Sequence, residues 1–275
     1  MPTILITGAH GFLARTVALM APAGWRVLGL TRKADTHDAG MHWHGSYDSI
    51  DAIASDGHKI DAVLHLAARI PTSMQQSGPE LVASNVVLPA QLLMRYPDAR
   101  HVLASSVAVF GCPESLPLSV TSVTAPATAY AWSKLAAENI VRIARSHAIL
   151  RLSSIIGRGM RAGSFIPTAV TAALSGQITV HGDGSRTQDY IDVRDAAQMC
   201  IAAAQRQDNF VTLAVSGRAH SNLEVAGELA ALTGARIGFT GVDTSASFAY
   251  TMAGAVALGP SHHDLRETLE QMVAG

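Results

Sequence analysis

The sequence predicts an α/β fold in which helices cover both faces of a doubly wound parallel sheet. Short apolar runs with strand character alternate along the chain with longer stretches of helical periodicity. A glycine-rich turn, with Gly8 and Gly11, directly follows the first apolar run. The length of 275 residues, 48% of them hydrophobic, is enough to bury one large core. Because parallel strands need both faces covered, these observations favour an open sheet between two layers of helices.

The first element is a strand that ends in a tight turn and leads into a helix, in T-G-A-H-G-F-L-A at 7–14. Gly8 allows the sharp turn, and Gly11 lets the backbone approach a pyrophosphate held by the N–H groups of the next helix. A plain glycine turn remains an alternative for this motif alone. Its position at the start of the chain favours dinucleotide binding.

The later elements continue the alternation and then lose it. The strongest strand candidates are 2–7, 25–30, 61–66, 100–106, 147–153 and 209–215, with a weaker one near 41–44. Glycine and proline become frequent after residue 156. We therefore expect residues 1–157 to form a Rossmann-type dinucleotide-binding domain, rejoined by the strand near 209–215. Residues 158–275 should form a small, interleaved C-terminal region that binds substrate.

Tyr130 and Lys134 lie one helical turn apart in a segment with helical periodicity, so they share a helix face. A free tyrosine, with a pKa of about 10, is a poor acid or base at neutral pH. A nearby ammonium favours the phenolate and should lower that pKa, so that Tyr130 could exchange a proton with a substrate oxygen. For the pair alone, a packed tyrosine beside a solvated lysine remains open.

Composition argues against several classes of partner. The net charge of −1, the pI of about 6.9 and the lack of a basic run suggest neither nucleic acid nor a membrane surface. We expect no signal peptide or bilayer-spanning stretch, and two cysteines imply no disulfide framework, so a cytoplasmic enzyme is expected. We also expect no metal site, because the paired histidines lack further ligands at metal spacing, at His42-Trp43-His44 and His262-His263.

Together the motifs make the chain resemble the extended short-chain dehydrogenase/reductases, the NAD(P)-dependent epimerase/dehydratase family, from residue 3 to about residue 230. The shared segments are T-G-A-H-G-F-L-A at 7–14, H-L-A-A at 65–68, N-V-V-L-P-A from Asn85, S-S-V-A-V-F-G at 105–111, Tyr130 with Lys134, R-L-S-S-I-I-G at 151–157, and G-D-G-S-R-T-Q-D-Y-I-D-V-R-D at 182–195. Their order and spacing, rather than any single segment, carry the resemblance.

The resemblance implies a catalytic set of Ser106, Tyr130 and Lys134, in which Ser106 donates to the substrate carbonyl and stabilises the developing oxyanion. Lys134 would also hold the nicotinamide ribose. For His65 and Asn85 we favour structural roles, as a satisfied core histidine and a helix-start amide. The expected cofactor-binding residues are Gly8, His10, Gly11, Phe12, Leu13, Thr31, Arg32, Lys33, Leu66, Ala67, Ala68, Tyr130 and Lys134.

Cofactor choice is predicted from the end of the second strand. An NAD enzyme usually has an acidic residue there for the ribose 2′-hydroxyl, whereas this chain has Thr31. Arg32 and Lys33 would suit a 2′-phosphate, so NADP is expected in preference to NAD. Two solvated surface cations are the alternative.

The resemblance also narrows the reaction. Dehydratases of the family have an acidic pair after the catalytic Ser or Thr, whereas this chain has Val107 and Ala108, so dehydration is disfavoured. Reversible hydride transfer remains, used once by a reductase or dehydrogenase, or twice by an epimerase through a keto intermediate. Arg32 and Lys33 favour reduction, since NADPH serves biosynthetic reduction.

The expected substrate is a nucleotide-linked sugar. Two positions that commonly serve the diphosphate in the family differ here, since Ser154 replaces an asparagine and Gln188 an arginine. The expected substrate-binding residues are therefore Arg69, Ser106, Ser154, Arg186 and Gln188. Two alternatives stay open, a dehydrogenase or reductase of a free small carbonyl compound or sugar, and a non-catalytic dinucleotide-binding regulator.

A homodimer is also expected, because such folds often pair the helices after the fourth and fifth strands into a four-helix bundle. Here the ranges 85–96 and 130–146 would supply those helices. Core packing would explain their apolar positions equally well, at Val86, Leu92, Leu93, Ile140 and Ile143.

Overall fold

The computed structural model describes residues 1–32, 43–71 and 78–275, and its centre is a sheet of parallel strands. These strands are β1 (Thr3–Thr7), β2 (Arg26–Leu30), β3 (Gly45–Tyr47), β4 (Ala62–His65), β5 (Arg100–Ser106), β6 (Ser146–Leu152) and β10 (Phe210–Ala214). Within the described residues they form one seven-stranded sheet in the order β10-β6-β5-β4-β1-β2-β3. The predicted α/β fold with a doubly wound parallel sheet is confirmed.

Helices cover both faces of this sheet. They are α1 (Phe12–Met20), α2 (Ile50–Ser55), α3 (Pro79–Val82), α4 (Leu88–Arg95), α5 (Ala129–Val141) and α7 (Val193–Gln205). A π-helical turn, Ala83–Val87, joins α3 to α4, and a 3₁₀ turn, Val107–Phe110, follows β5. In the ranges that the structure describes, no helix has both the length and the apolar character needed to cross a bilayer.

The two-residue period of the strands divides the core into two layers. Ile4 and Ile6 of β1 point to one face and pack in a cluster with Val17 of α1 and Ile201 of α7. Leu5, between them, belongs to a second cluster on the opposite face that includes Leu92 of α4. Because both faces of the sheet are buried, its strands are apolar along nearly their whole length.

A second group of elements follows β6. It contains β7 (Ser154–Ile156), α6 (Phe165–Leu174), β8 (Gln177–His181), β9 (Thr187–Asp192), β11 (Ala219–Ser221), α8 (Asn222–Thr233), β12 (Arg236–Thr240) and α9 (Leu265–Val273). In the described chain the strands form a sheet of order β11-β9-β7 and a pair β12-β8. These elements share a separate apolar cluster around Ile166, Val225 and Leu269. We propose that this group is the substrate-binding region, predicted to begin at residue 158, and that it also includes the short strand β7 just before that boundary.

Two element boundaries differ from the sequence prediction. Residues 41 and 42 of the strand expected near 41–44 lie outside the described residues, and the strand is Gly45–Tyr47, paired with β2. His44 instead accepts the Val27 N–H with its Nδ1 at 3.0 Å. The helix expected over 130–146 ends at Val141, because Ser146 already pairs with Arg100 as the first residue of β6.

A buried ion pair fixes α5 against the centre of the sheet. Glu138 on α5 is fully buried, and its carboxylate accepts from Nε and Nη2 of Arg151 on β6 at 3.0 and 2.9 Å. Ser105 on β5 donates to the same carboxylate at 2.6 Å. Arg151 also donates to the Val120 carbonyl, and its guanidinium lies 5.0 Å from the centre of the Phe110 ring. This network therefore connects α5 to both central strands.

Replacing Glu138 should destabilise the protein strongly. Glu138→Gln leaves the Arg151 charge buried without its counter-ion, and we expect the free energy of unfolding to fall by about 3 kcal/mol in urea denaturation. The matched control is Asp98→Asn, because Asp98 pairs with Arg145 at 3.1 Å while both side chains are 83% exposed. Loss of that surface pair should cost less than about 1 kcal/mol. Equal effects of the two substitutions would contradict this account.

Candidate active site

Tyr130 and Lys134 occupy the first turns of α5. Thr128 caps this helix, since its hydroxyl accepts the Ala131 N–H at 3.2 Å. The buried Lys134 ammonium donates to the carbonyl of Ala104 on β5 at 2.8 Å and lies 5.9 Å from the centre of the Tyr130 ring. Both side chains are thereby held on the face of α5 that packs against the end of β5.

Ser106 is the last residue of β5, and its side chain approaches Tyr130 from the sheet. Its hydroxyl accepts the Ala108 N–H at 3.1 Å, which starts the 3₁₀ turn after the strand. The side chain is partly exposed and interacts with the phenol of Tyr130. The structure thus brings together Ser106, Tyr130 and Lys134.

The electrostatics of this group differ from the sequence expectation. Burial raises the pKa of Tyr130 to about 12, and the Ser106 hydroxyl lowers it by a smaller amount. Burial lowers the pKa of Lys134 to about 8, while the Glu138 carboxylate acts to raise it. Loss of bulk water therefore outweighs the expected effect of Lys134 on the phenol. In the protein alone Tyr130 is a neutral phenol at pH 7.

The glycine turn lies at the carboxyl end of β1. The Gly8 backbone has φ +70°, and a Cβ atom there would lie 2.8 Å from the Cα of Ala67. The Gly11 N–H donates to the Gly8 carbonyl at 2.6 Å, and α1 begins directly afterwards without a side-chain cap. The first N–H groups of α1 therefore stand open toward this turn. Phe12 is partly exposed beside His10, whereas the Leu13 side chain is buried, so Leu13 could contact a ligand only with its backbone.

The segment after β4 lies against this turn. The Ala67 N–H donates to the Thr7 hydroxyl at 2.9 Å, which ties the H-L-A-A segment to the end of β1. Leu66 is partly exposed and Ala68 is exposed. Across β1, the Thr31 N–H donates to the Tyr47 carbonyl at 2.9 Å and Arg32 is exposed. Lys33 lies outside the described residues.

Asn85 has a role that the sequence did not reveal. It lies in the π-helical turn rather than at a helix start, and it is buried. Its side chain accepts the Arg69 N–H at 2.7 Å and donates to the Arg69 carbonyl and the Ser133 hydroxyl. Asn85 thus joins the end of the H-L-A-A segment to α5, beside Lys134. An asparagine at the centre of an otherwise apolar helical pattern was the available signal.

Ser154 and Gln188 contact each other. The Gln188 amide donates to the Ser154 hydroxyl, across the parallel pairing of β7 and β9. Ser154 lies two residues after Leu152, which pairs with Ser106, so this contact lies beyond the same edge of the sheet as Ser106. The two residues that replace an expected asparagine and arginine therefore form a neutral pair.

Asp189, next to Gln188, is buried and fully hydrogen-bonded. It accepts from the Ser153 hydroxyl at 2.6 Å, and from Ser216 and the Gly217 N–H at 2.9 Å. Burial raises the pKa of this carboxyl despite those donors. Asp189 therefore connects the ends of β6, β9 and β10 rather than offering a free carboxylate.

The predicted arginines at the rim have local partners. Arg186 donates from Nε to the Ala246 carbonyl at 3.2 Å. Arg69 is exposed, and its guanidinium lies 3.6 Å from the Glu80 carboxylate. Within the described residues, the remaining N–H groups of both guanidinium groups have no hydrogen-bond partner. Among the described residues no three histidine, cysteine or acidic side chains meet as a metal site would require.

Comparison with known sequences identifies relatives of the chain. A sequence model described as "NAD dependent epimerase/dehydratase family" matches residues 4–215. The UDP-glucose 4-epimerase of Mycolicibacterium smegmatis (strain ATCC 700084 / mc(2)155) is 27% identical over 225 residues, 72% of this chain and 72% of the relative. The UDP-glucose 4-epimerase of Lactobacillus helveticus is 27% identical over 249 residues, 77% of this chain and 75% of the relative.

Solved structures share the whole architecture. MoeE5 in complex with UDP-glucose and NAD superposes with a TM-score of 0.83 at 26% identity, over 99% of this chain and 97% of MoeE5. UDP-N-acetylglucosamine 4-epimerase from Bacillus cereus has a TM-score of 0.85 at 22% identity, over 100% of this chain and 96% of that chain. At that identity the second likeness supports the fold alone.

The comparisons contradict the predicted preference for NADP. The MoeE5 complexes contain NAD, with UDP-glucose in one and UDP-glucuronic acid in another. The prediction was wrong because it took Arg32 as a phosphate ligand, whereas an exposed arginine at a strand end is equally well placed as a solvated cation. The argument for a reductase depended on the same two cations, so it no longer stands.

Proposed function

The chain belongs to the NAD dependent epimerase/dehydratase family, and we propose that it is an NAD-dependent epimerase of a nucleotide-linked sugar. The convergence of Ser106, Tyr130 and Lys134 at the end of β5 is the observation that carries this proposal. The two relatives compared above are UDP-glucose 4-epimerases, and MoeE5 binds UDP-glucose with NAD, which supports the substrate class and the cofactor.

The residues around the glycine turn fit a dinucleotide. Side chains are excluded where Gly8 meets Ala67, so the backbone can approach a pyrophosphate closely. The uncapped start of α1 after Gly11 offers N–H groups and the positive end of the helix dipole. We propose that this turn, Leu66 and Ala67 hold NAD. When bound, NAD supplies a nicotinamide that accepts and returns a hydride.

Side chains of the protein would transfer the proton of the reacting sugar hydroxyl. Ser106 donates a hydrogen bond to the reacting sugar oxygen and stabilises its negative charge. Once it has lost its own proton in the loaded site, Tyr130 takes the proton of that hydroxyl when the sugar is oxidised, and the resulting phenol returns it when the keto sugar is reduced. The Lys134 ammonium, 5.9 Å from the centre of the Tyr130 ring, would stabilise that phenolate by its charge.

Dehydration remains disfavoured in this proposal. Elimination of water needs an acid and a base next to the reacting carbons. Val107 and Ala108 follow Ser106 in the 3₁₀ turn, and neither can move a proton with its side chain. Hydride transfer in both directions is the chemistry that the proposed set can support.

A second candidate function is the epimerisation or oxidation of a free small sugar. The Ser154–Gln188 contact favours it, because two neutral side chains replace groups that would grip a diphosphate. Arg69 and Arg186 support the nucleotide-linked candidate instead, because in the part of the chain that the structure describes each guanidinium has N–H groups without a partner. The two candidates differ in whether a nucleoside diphosphate alone binds.

The first test combines turnover with a matched substitution. With NAD, the protein should interconvert UDP-glucose and UDP-galactose, and Tyr130→Phe should lower kcat by at least about 10²-fold, as loss of an acid–base group does. Tyr47→Phe is the control, because the Tyr47 hydroxyl donates to Asp56 near the surface, on the edge strand β3.

A binding test separates the two candidate functions. UDP added with NAD should raise the melting temperature beyond the value with NAD alone. Turnover of free sugars without a response to UDP, dTDP, GDP or CDP would favour the second candidate.

Gly8→Ala should separate cofactor binding from general stability. Alanine at φ +70° costs about 1–2 kcal/mol of folding free energy, and its Cβ would push Ala67 away from the turn. We expect NAD to give a clear rise in melting temperature in the parent and almost none in this variant. Gly24→Ala is the control, because a Cβ there meets no atom within 4 Å. If NAD raised the melting temperature of Gly8→Ala as much as that of the parent, the result would argue against NAD binding at the Gly8 turn.

We further propose that the protein is a homodimer formed through α4 and α5. Of the apolar positions named from the sequence, Leu92 is buried in the core and cannot contribute, whereas Ile143, two residues beyond the end of α5, is 75% exposed. Met94 on α4 and Trp132 on α5 are also exposed, at 72% and 60%. Large apolar side chains concentrated on neighbouring helices favour a partner surface.

Charge introduced on these helices should dissociate the dimer. Sedimentation or light scattering at micromolar concentration should give a dimer for the parent and a monomer for Met94→Glu combined with Trp132→Glu, because burying a carboxylate at an apolar interface is costly. Val123→Glu is the control, since Val123 is 84% exposed but lies in a loop outside both helices. A parent protein that sediments as a monomer would refute the proposal.

A further inference from the structure

Two buried histidines lie behind the candidate active site. His65 ends β4, His101 lies in β5, and both are almost completely buried. Their rings stack with centres 5.2 Å apart, and His65 Nε2 lies 2.9 Å from His101 Nδ1. The other nitrogen of His101, Nε2, lies 3.0 Å from the carbonyl oxygen of Tyr96. The chain of contacts therefore runs from His65 through His101 to a backbone carbonyl.

The Tyr96 carbonyl at one end of this series determines which ring nitrogens of His101 and His65 carry a proton. A carbonyl oxygen can only accept, so His101 Nε2 carries a proton and donates it to Tyr96. Burial lowers the pKa of His101, so its ring is neutral and its Nδ1 is an acceptor. His65 must then donate from Nε2, which leaves a bare lone pair on its Nδ1.

That lone pair has no hydrogen-bond donor in the described chain. His65 Nδ1 is completely buried and unpartnered. A buried acceptor without a donor loses its hydration and gains nothing in return, which usually costs more than a hydrogen bond stabilises. The sequence expectation of a satisfied core histidine therefore holds for one nitrogen of His65 and not for the other.

Among the described residues, Lys134 is a nearby group with N–H donors that no hydrogen bond uses. Its ammonium carries three N–H bonds, one of which goes to the Ala104 carbonyl. The charge of Lys134 acts on His65, and His65 pairs across the sheet with Leu103, the residue before Ala104. No direct hydrogen bond joins Lys134 to His65, although both are among the described residues. A buried donor and a bare acceptor that do not bond each other directly can be joined by a bridging water.

We propose that His65 Nδ1, the Lys134 ammonium and one internal water form a built site, in which the water accepts from Lys134 and donates to His65. His65 is then a positioning residue for Lys134. Its neutral ring provides the acceptor that allows a charged amine to remain hydrogen-bonded inside the protein. The site itself does not depend on the proposed epimerase activity, whereas its effect on catalysis does.

Other ionisable groups lie near Lys134. Tyr130 and Glu138 lie one turn to either side on α5, and Glu138 is held by Arg151 from β6. His101, on β5, lies behind His65. The Glu138 carboxylate favours the ammonium of Lys134, while burial disfavours it. A water that accepts from the ammonium acts in the same direction as Glu138.

Two substitutions of His65 separate the two ring nitrogens. His65→Asn places an amide oxygen near the position of Nδ1, whereas His65→Gln reaches toward His101 and removes the Nδ1 acceptor. Crystal structures should show a water within about 3.2 Å of both His65 Nδ1 and Lys134 Nζ in the parent. The same water should persist in His65→Asn and be lost in His65→Gln. Parent density without a water at Nδ1 would overturn the proposal, whatever the activity of the protein.

Histidine ¹⁵N NMR provides a readout that requires only the parent protein. We expect His65 and His101 to be neutral at neutral pH, with the proton on Nε2 of each ring, because burial lowers the pKa of both rings. A proton on His65 Nδ1 would overturn the proposal, because that nitrogen would then donate rather than accept.

The pH profile tests the consequence for the proposed reaction. Activity should fall as the pH rises through the pKa of Lys134, which burial places at about 8, because the ammonium is lost. Removing an acceptor from a charged group should move this alkaline limb down by about one pH unit in His65→Gln. In His65→Asn the limb should stay in place. Identical limbs in both variants, with the water present, would limit His65 to a structural role.

Discussion

The buried pair of Glu138 and Arg151 is the interaction on which the candidate site depends. It fixes the rotation of α5 about its axis, because one carboxylate is held at once from β5 and from β6. With that rotation fixed, the residues one and two turns earlier, Lys134 and Tyr130, face the end of β5, where Ser106 lies. Packing of apolar side chains alone would hold the helix close to the sheet without selecting which face it presents.

Local signals made most of the fold predictable. Alternation of apolar strands and helical segments, the glycine turn at Gly8 and the helical spacing of Tyr130 and Lys134 each depend on residues close in sequence. Their structural positions agree with the prediction, apart from the edge strand β3 and the end of α5. Those two boundaries depend on pairing with strands far along the chain, which local periodicity does not encode.

The sequence alone does not reveal contacts between residues that are far apart along the chain. Asn85 was assigned to a helix start, although its partners lie 16 and 48 residues away. Arg32 misled the prediction of the cofactor, because a cation in a sequence carries no record of whether a phosphate lies beside it. A glutamate and an arginine inside apolar segments, as at Glu138 and Arg151, were the one available sign of a buried pair.

The clamp made by Asn85 has a mechanical consequence. Two hydrogen bonds from one amide hold the Arg69 backbone, and a third reaches Ser133 on α5. A single side chain therefore ties the segment that leaves β4 to α5, so a shift of the Arg69 backbone would be transmitted to the helix that carries Tyr130 and Lys134.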